Sequence, residues 1–238
     1  MNTTTERDTM ENNPSQALHV LQMISHICLL WMAALYSYKI YLLLQKAGPT
    51  EKAELKGDRT AGAVESLFNV LRPWSMESTQ RNPYFYAEFL IFHVAVALTI
   101  GLTFFIPFTP GLLTPAVSYV FMLFMGLAFL IGLRRIHRRI TEEKVRILTT
   151  PDDMFAVCLL TSFFAVGFIT MLHWSEGSSD NGWMWLFFFM VCFFLIYVPF
   201  SKISHYVMYP FTRIMFGQIF GGRGILNKQN PKATWVPK

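Results

Sequence analysis

The hydrophobic residues of this chain fill whole segments instead of recurring at helical or strand spacing. Five stretches, 17–44, 85–108, 112–133, 154–174 and 183–209, are apolar almost throughout. A helix needs roughly 20 such residues to cross the hydrocarbon core of a bilayer. The pattern therefore predicts an all-α membrane protein, a five-transmembrane-helix bundle. Aromatic residues gather at the segment ends, namely Tyr36, Tyr38 and Tyr41, Tyr84 and Tyr86, Trp174, Trp183 and Trp185, and Tyr206 and Tyr209. Interfacial anchors are distributed in this way. Residues 1–16 are polar, lack the basic start of a signal peptide and read as a disordered outer tail. The membrane domain is expected over 17–216 and a basic tail over 217–238. Within the loop 45–83, Val64, Leu67, Phe68 and Leu71 fall at i, i+3, i+4 and i+7. That spacing predicts an amphipathic helix, which either lies on the membrane surface or docks a further subunit.

Composition agrees: 53% of the 238 residues are hydrophobic and 15% are charged, where soluble domains carry about 25% charge. A soluble core of five buried helices is excluded because a chain this short cannot supply the polar surface to cover it. The net charge of +5 is informative by position. Lys46, Lys52, Lys56, Arg59, Arg72 and Arg81 follow the first segment. Arg134, Arg135, Arg138, Arg139, Lys144 and Arg146 lie between the third and fourth, and Arg213, Arg223, Lys228, Lys232 and Lys238 lie in or near the tail. The opposite loops, 107–111 and 175–182, hold no Lys or Arg. The positive-inside rule then puts the N-terminus outside and the C-terminus in the cytoplasm. The run LRRIHRRI is read as lying beside anionic lipid headgroups and not on nucleic acid. Cys28, Cys158 and Cys192 all lie in apolar segments without metal or disulfide spacing, and read as small buried hydrophobes.

Few ionisable groups remain inside the membrane. Glu88 lies one turn into the second segment, and Lys39 and Lys202 sit near segment ends from which they can snorkel. No row of acids marks an ion path, and no helix pair carries the interrupted pattern of a transporter site. Five of the six histidines, His19, His26, His93, His173 and His205, lie in or at the ends of the apolar segments. A single histidine in such a helix is usually a hydrogen-bonding core residue. Several at matching depths point instead to axial ligands of haem iron. At about 1.5 Å rise per residue, His93 and His205 fall in the inner half and pair for one haem b. His173 lies at the outer end of the fourth helix, where it pairs with His26 or His19 for a second. Depth favours His19 slightly, exclusion from water favours His26, and His26 is preferred.

Three stretches carry a family resemblance. They are IFHVAVALTIG at 91–101, a basic, Thr-rich run RRI…KVRILTTPDD at 138–153 leading into AVGFIT at 165–170, and VPFSKISHYVMYPFTRIM at 198–215. Over about residues 85–216 the chain resembles the gamma (cytochrome b) subunit of respiratory nitrate reductase and its relatives in heterodisulfide reductase and in sulfate reducers' membrane redox complexes. The third stretch is the most specific. The resemblance implies that His93 and His205 ligate a cytoplasm-proximal haem b. It places Thr103 and Phe187 where nitrate reductase has the ligands of its outer haem, and neither can ligate, so His26 and His173 are the natural substitutes. Its quinone site depends on a missing histidine and does not carry over. The implied role is electron transfer between membrane quinone and a partner subunit, expected to be a cytoplasmic iron–sulfur protein docked on 45–83, 134–153 and the tail. The competing expectation is a haem-free membrane anchor or small transporter.

Overall fold

The structure, a computed structural model, describes residues 16–45, 56–69, 72, 80–175, 177 and 180–225. The sequence readings made for 1–15 and for 226–238 lie outside the described residues, as does Leu71. Among the described residues, eight α-helices follow in order: α1 Gln16–Gln45, α2 Arg59–Phe68, α3 Pro83–Phe108, α4 Pro115–Thr141, α5 Glu143–Leu148, α6 Pro151–Ser175, α7 Gly182–Tyr197 and α8 His205–Gly222. Five of them, α1, α3, α4, α6 and α7 with its short extension to Phe200, are long and apolar enough to cross a membrane. The chain is a multi-pass membrane protein. Its surface argues the same way, since Val20, Met23, Ile27, Leu30 and Trp31 on α1 and Tyr119, Leu123, Leu130 and Leu133 on α4 are all exposed. Rows of this kind are stable only against lipid or another apolar partner.

Polar caps start the helices where the sequence changes character. Thr150 and Asp153 form a reciprocal box at the start of α6: Thr150 N donates to Asp153 Oδ2 at 2.9 Å and Asp153 N donates to Thr150 Oγ1 at 3.3 Å. Asn181 Oδ1 accepts from Trp183 N and Met184 N at 2.9 and 3.0 Å to cap α7, and Thr114 with Pro115 opens α4. Each cap satisfies donors that the helix itself leaves over.

The chain forms two compact units. The first comprises residues 1–35 and 87–203. Its core is aromatic and sulfur-rich, with Met125, Phe164, Met171, Met184, Phe187 and Phe188 all fully buried. Helices α4 and α6 approach closely because Gly132 faces Thr161: a Cβ at Gly132 would stand 2.3 Å from Thr161 Oγ1. The hydroxyl is satisfied by its own helix, donating to Val157 O at 2.6 Å. Small residues of this kind let membrane helices bring their backbones together.

The second unit comprises residues 36–86 and 204–238. Here α2 and α8 lie backbone to backbone. Gly62 and Ser66 on α2 oppose Gly217 and Gly221 on α8, and a Cβ on Gly62 would sit 2.3 Å from Gly217 O. Lys56 N and Gly57 N both donate to Gly222 O, at 2.9 and 3.1 Å, and close one end of the pair. The helix expected in the 45–83 loop is present, but its small face packs. Val64 and Phe68, on the apolar face that marked it, point outward at 53% and 49% exposure.

Two expectations need correction. The fifth helix does not run on to Tyr209. It ends at Tyr197, passes through short 3-10 turns at Val198–Phe200 and Lys202–Ser204, and α8 begins anew at His205. Pro199 brings no N–H and its ring crowds the preceding turn. Ser201 then holds the break open, with Oγ donating to Val198 O at 3.0 Å and accepting from Ile203 N at 3.2 Å. His205 is therefore the first residue of a separate helix and not a member of a spanning one. Likewise, residues 134–141 are not loop but the last turns of α4, followed directly by α5.

Candidate functional site

His93 lies on α3 one position past Phe92, so it leaves the face that packs inward through Phe92, Ala95, Thr99, Leu102 and Ile106 and is itself exposed. Its Nδ1 is 2.7 Å from Phe89 O. A carbonyl only accepts, so Nδ1 carries the proton and the ring's lone pair is on Nε2. A metal-binding histidine is oriented in the same way, with one nitrogen tied to a backbone acceptor and the other presented to the ligand. The rings of Phe89, at 4.0 Å, and Phe92, at 6.4 Å, hold the imidazole on two sides. Arg135 lies over Phe92 with its guanidinium carbon 4.3 Å from the ring centre, and Arg134 pairs with Glu88. One turn beyond, Arg138 donates through Nε and Nη2 to the two carboxylate oxygens of Glu142 at 2.8 and 3.0 Å. That hydrogen-bonded guanidinium holds the Glu142 carboxyl below the usual carboxylate range.

The remaining candidates separate cleanly. His26 is half-buried and tilts against Phe108 at the end of α3, ring centres 4.8 Å apart. Its Nε2 is buried and finds no hydrogen-bond partner, a costly state for a polar atom in an apolar interior. His19 is exposed. His173 is half-buried in the last turn of α6, and its neighbour Trp174 donates through Nε1 to Leu113 O at 3.3 Å. His26 thus borders the end of α3, and Trp174, next to His173, reaches the short α3–α4 connection. His205 opens α8 in the second unit and is exposed. Among the described residues no cluster of three or more His, Cys, Asp or Glu side chains forms a cage for a metal ion.

The two positions that depart from the nitrate reductase pattern are occupied by packing. Phe187 is fully buried and stacked on Phe163 at 5.4 Å. Thr103 donates to Ile100 O in its own helix at 2.7 Å.

One constellation escaped the sequence reading. The TTPDD stretch at the start of α6 and the PFSK stretch after α7 meet. Lys202 Nζ reaches Asp153 Oδ1 and Thr150 Oγ1, each at 2.9 Å, and Tyr197 OH donates to Asp152 Oδ1 at 2.9 Å. Lys202, expected to snorkel, is instead the bolt of a corner that fixes the α7 break. Both stretches were visible as motifs, but nothing in their separate spacings said that they touch.

No protein-family model and no solved structure matches the chain. A protein of Nitratidesulfovibrio vulgaris (strain Hildenborough) that carries only the name "Protein" is 32% identical over 181 residues, covering 73% of this chain and 78% of its own length. Identity at that level over most of both chains is common descent, and the chain belongs to the family of that Nitratidesulfovibrio vulgaris protein.

Proposed function

We propose that the chain is the membrane b-type cytochrome subunit of a quinone-linked respiratory oxidoreductase, with its N-terminus outside and its C-terminus in the cytoplasm of a prokaryote. The observation that carries this reading is the pair of histidine states. His93 is fixed by Phe89 O as the tautomer that ligates through Nε2, and His26 keeps a buried Nε2 with no protein partner. Both suit axial ligation of haem, and a histidine nitrogen buried without a partner, as His26 Nε2 is, is otherwise expensive. His93 and His205 are assigned to an inner haem b, and His26 and His173 to an outer one. Haem iron supplies one-electron transfer when bound. The chain's own residues hold it: Phe89 and Phe92 pack the His93 ring, and Phe108 packs that of His26. No terminal substrate chemistry is assigned to this chain. Its electrons pass between the quinone pool and an iron–sulfur or cytochrome partner.

The test is the reduced-minus-oxidised spectrum of the purified chain together with a pyridine haemochrome count. Two haems per chain and an α-band near about 560 nm are expected for bis-histidine haem b. His93→Ala and His26→Ala should each remove one haem while leaving helicity unchanged. A folded, colourless protein would instead establish the haem-free anchor.

A further inference from the structure

The α2–α8 pair encloses a cleft of about 430 Å³ lined by Glu65, Ser66 and Asn69 from α2 and its end, and by Arg213, Phe216 and Phe220 from α8. One wall is cationic and fixed. Arg213 Nε donates to Ser66 O at 3.0 Å, and its guanidinium carbon lies 5.9 Å from the Tyr209 ring. Those contacts hold the guanidinium in place, and its two Nη groups meet no protein acceptor among the described residues. The acid in the cleft does not cancel it, because Glu65 is already paired with Arg72 at 2.7 Å. The other wall is apolar, with Phe216 and Phe220 stacked at 6.2 Å and an interplanar angle of 14°. A fixed, underused guanidinium beside an aromatic wall suits an anion that carries a hydrocarbon chain.

The same unit supplies the setting. It contains Tyr36–Gln45, the last turns of the spanning helix α1. Tyr36 is buried against Tyr206 in the first turn of α8, ring centres 5.9 Å apart. The α8 helix therefore starts against the last turns of α1, and Phe216, Phe68 and Val64 remain exposed along the pair at 48%, 49% and 53%. Lys56, Arg59, Arg72, Arg213 and Arg223 outnumber Asp58 and Glu65 on these two helices and their flanks, which favours an anionic lipid surface over a zwitterionic one.

We propose that this cleft binds the phosphate headgroup of one anionic phospholipid, with Arg213 on the phosphate and an acyl chain along Phe216 and Phe220. The site is independent of the haem reading. The test is native mass spectrometry of the full chain released from detergent micelles after addition of phosphatidylglycerol or phosphatidylcholine. Wild type should retain one phosphatidylglycerol with about tenfold or greater preference. Arg213→Gln should weaken that binding about tenfold or more, as loss of a hydrogen bond to a charged group does. Arg213→Lys, which keeps the charge but not the fork, should fall between. Asn69→Asp adds a negative charge to the cleft without touching the Arg213–Ser66 bond, should weaken phosphatidylglycerol, and carries the test alone should Arg213→Gln fail to fold. Equal binding of the two lipids, or unchanged binding in both variants, overturns the proposal. Displacement of the lipid by millimolar inorganic phosphate overturns it as well, because the cleft would then take a free anion. Lipid-independent retention of a protein partner in the cleft is the third result against it.

Discussion

Adding one methyl group should stabilise this protein at Gly126 and destabilise it at Gly217. Both glycines lie inside helices, so Ala gains up to about 1 kcal/mol from helix propensity at either position. The surroundings decide the sign. At Gly126 the nearest atom to the new Cβ is Phe168 Cε2 at 3.5 Å, an ordinary contact. At Gly217 the methyl would stand 2.4 Å from Gly62 O, 2.6 Å from Ala63 Cα and 2.7 Å from Ser66 Cβ. Two of those three atoms are backbone and cannot rotate away, and the closest is about 1 Å short of ordinary contact, so α2 and α8 must part. Overpacking of a rigid site costs about 1–3 kcal/mol and occasionally more, and backbone obstruction places Gly217 toward the upper end. The net expectation is a loss of about 2 kcal/mol at Gly217→Ala and a gain of up to about 1 kcal/mol at Gly126→Ala. Hydrogen exchange in detergent reads the first directly, since peptides from 59–68 and 205–222 should exchange about 30-fold faster, while α4 and α6 are unchanged. Thermal unfolding by far-UV circular dichroism reads the second. Wild-type protection of α2 and α8 in Gly217→Ala would refute the backbone-contact account of this pair, and destabilisation by Gly126→Ala would refute the rule that the nearest atom to the new Cβ decides the sign.

Other substitutions give sharper contrasts. Asp153→Ala removes the α6 capping box and should cost about 1–2 kcal/mol in thermal unfolding, whereas Lys202→Met, at a half-exposed ion pair, should cost under about 1 kcal/mol. Ser201→Ala deletes the hydroxyl that accepts from Ile203 N within the α7 break, and about 1 kcal/mol of stability should go with it in the same melt. The Glu142 carboxyl should titrate below free glutamate by carbon-13 NMR. The contribution of its pair with Arg138 is complete above the ordinary carboxylate range and fades as pH falls through the lowered value; Arg138→Gln should return the titration to normal.

The parts of the fold legible in the sequence are those written in large apolar side chains. All five spans follow from uninterrupted hydrophobic runs, because only lipid tolerates such runs on a surface. Packing between helices was not legible, since glycine and serine set it. Gly62 and Ser66 carry no weight in an apolar periodicity, so the amphipathic pattern of α2 found a helix and its outward apolar face but not the small face that packs against α8. The α7 break was missed: the reading ran one segment through Pro199, because residues on both sides of it are largely apolar. Its fixed geometry depends on Asp153 and Lys202, which are far apart in sequence.

The histidines divide along the same line. Position in the segments preferred His26 to His19 only narrowly, because residues one heptad apart share a helical stripe and depth and exclusion from water pulled in opposite directions. Phe108, on another helix, separates them: α3 ends against His26 and leaves His19 exposed. The same logic explains the departures from the nitrate reductase pattern. A phenylalanine in place of a ligand does not leave a gap for haem, because Phe187 stacks on Phe163 and fills the volume. On the proposed reading, an outer haem is to be sought where a polar atom is buried without a partner. His26 Nε2 is the one histidine nitrogen that meets that condition among the described residues, which makes the haem count of His26→Ala the measurement on which the outer site stands or falls.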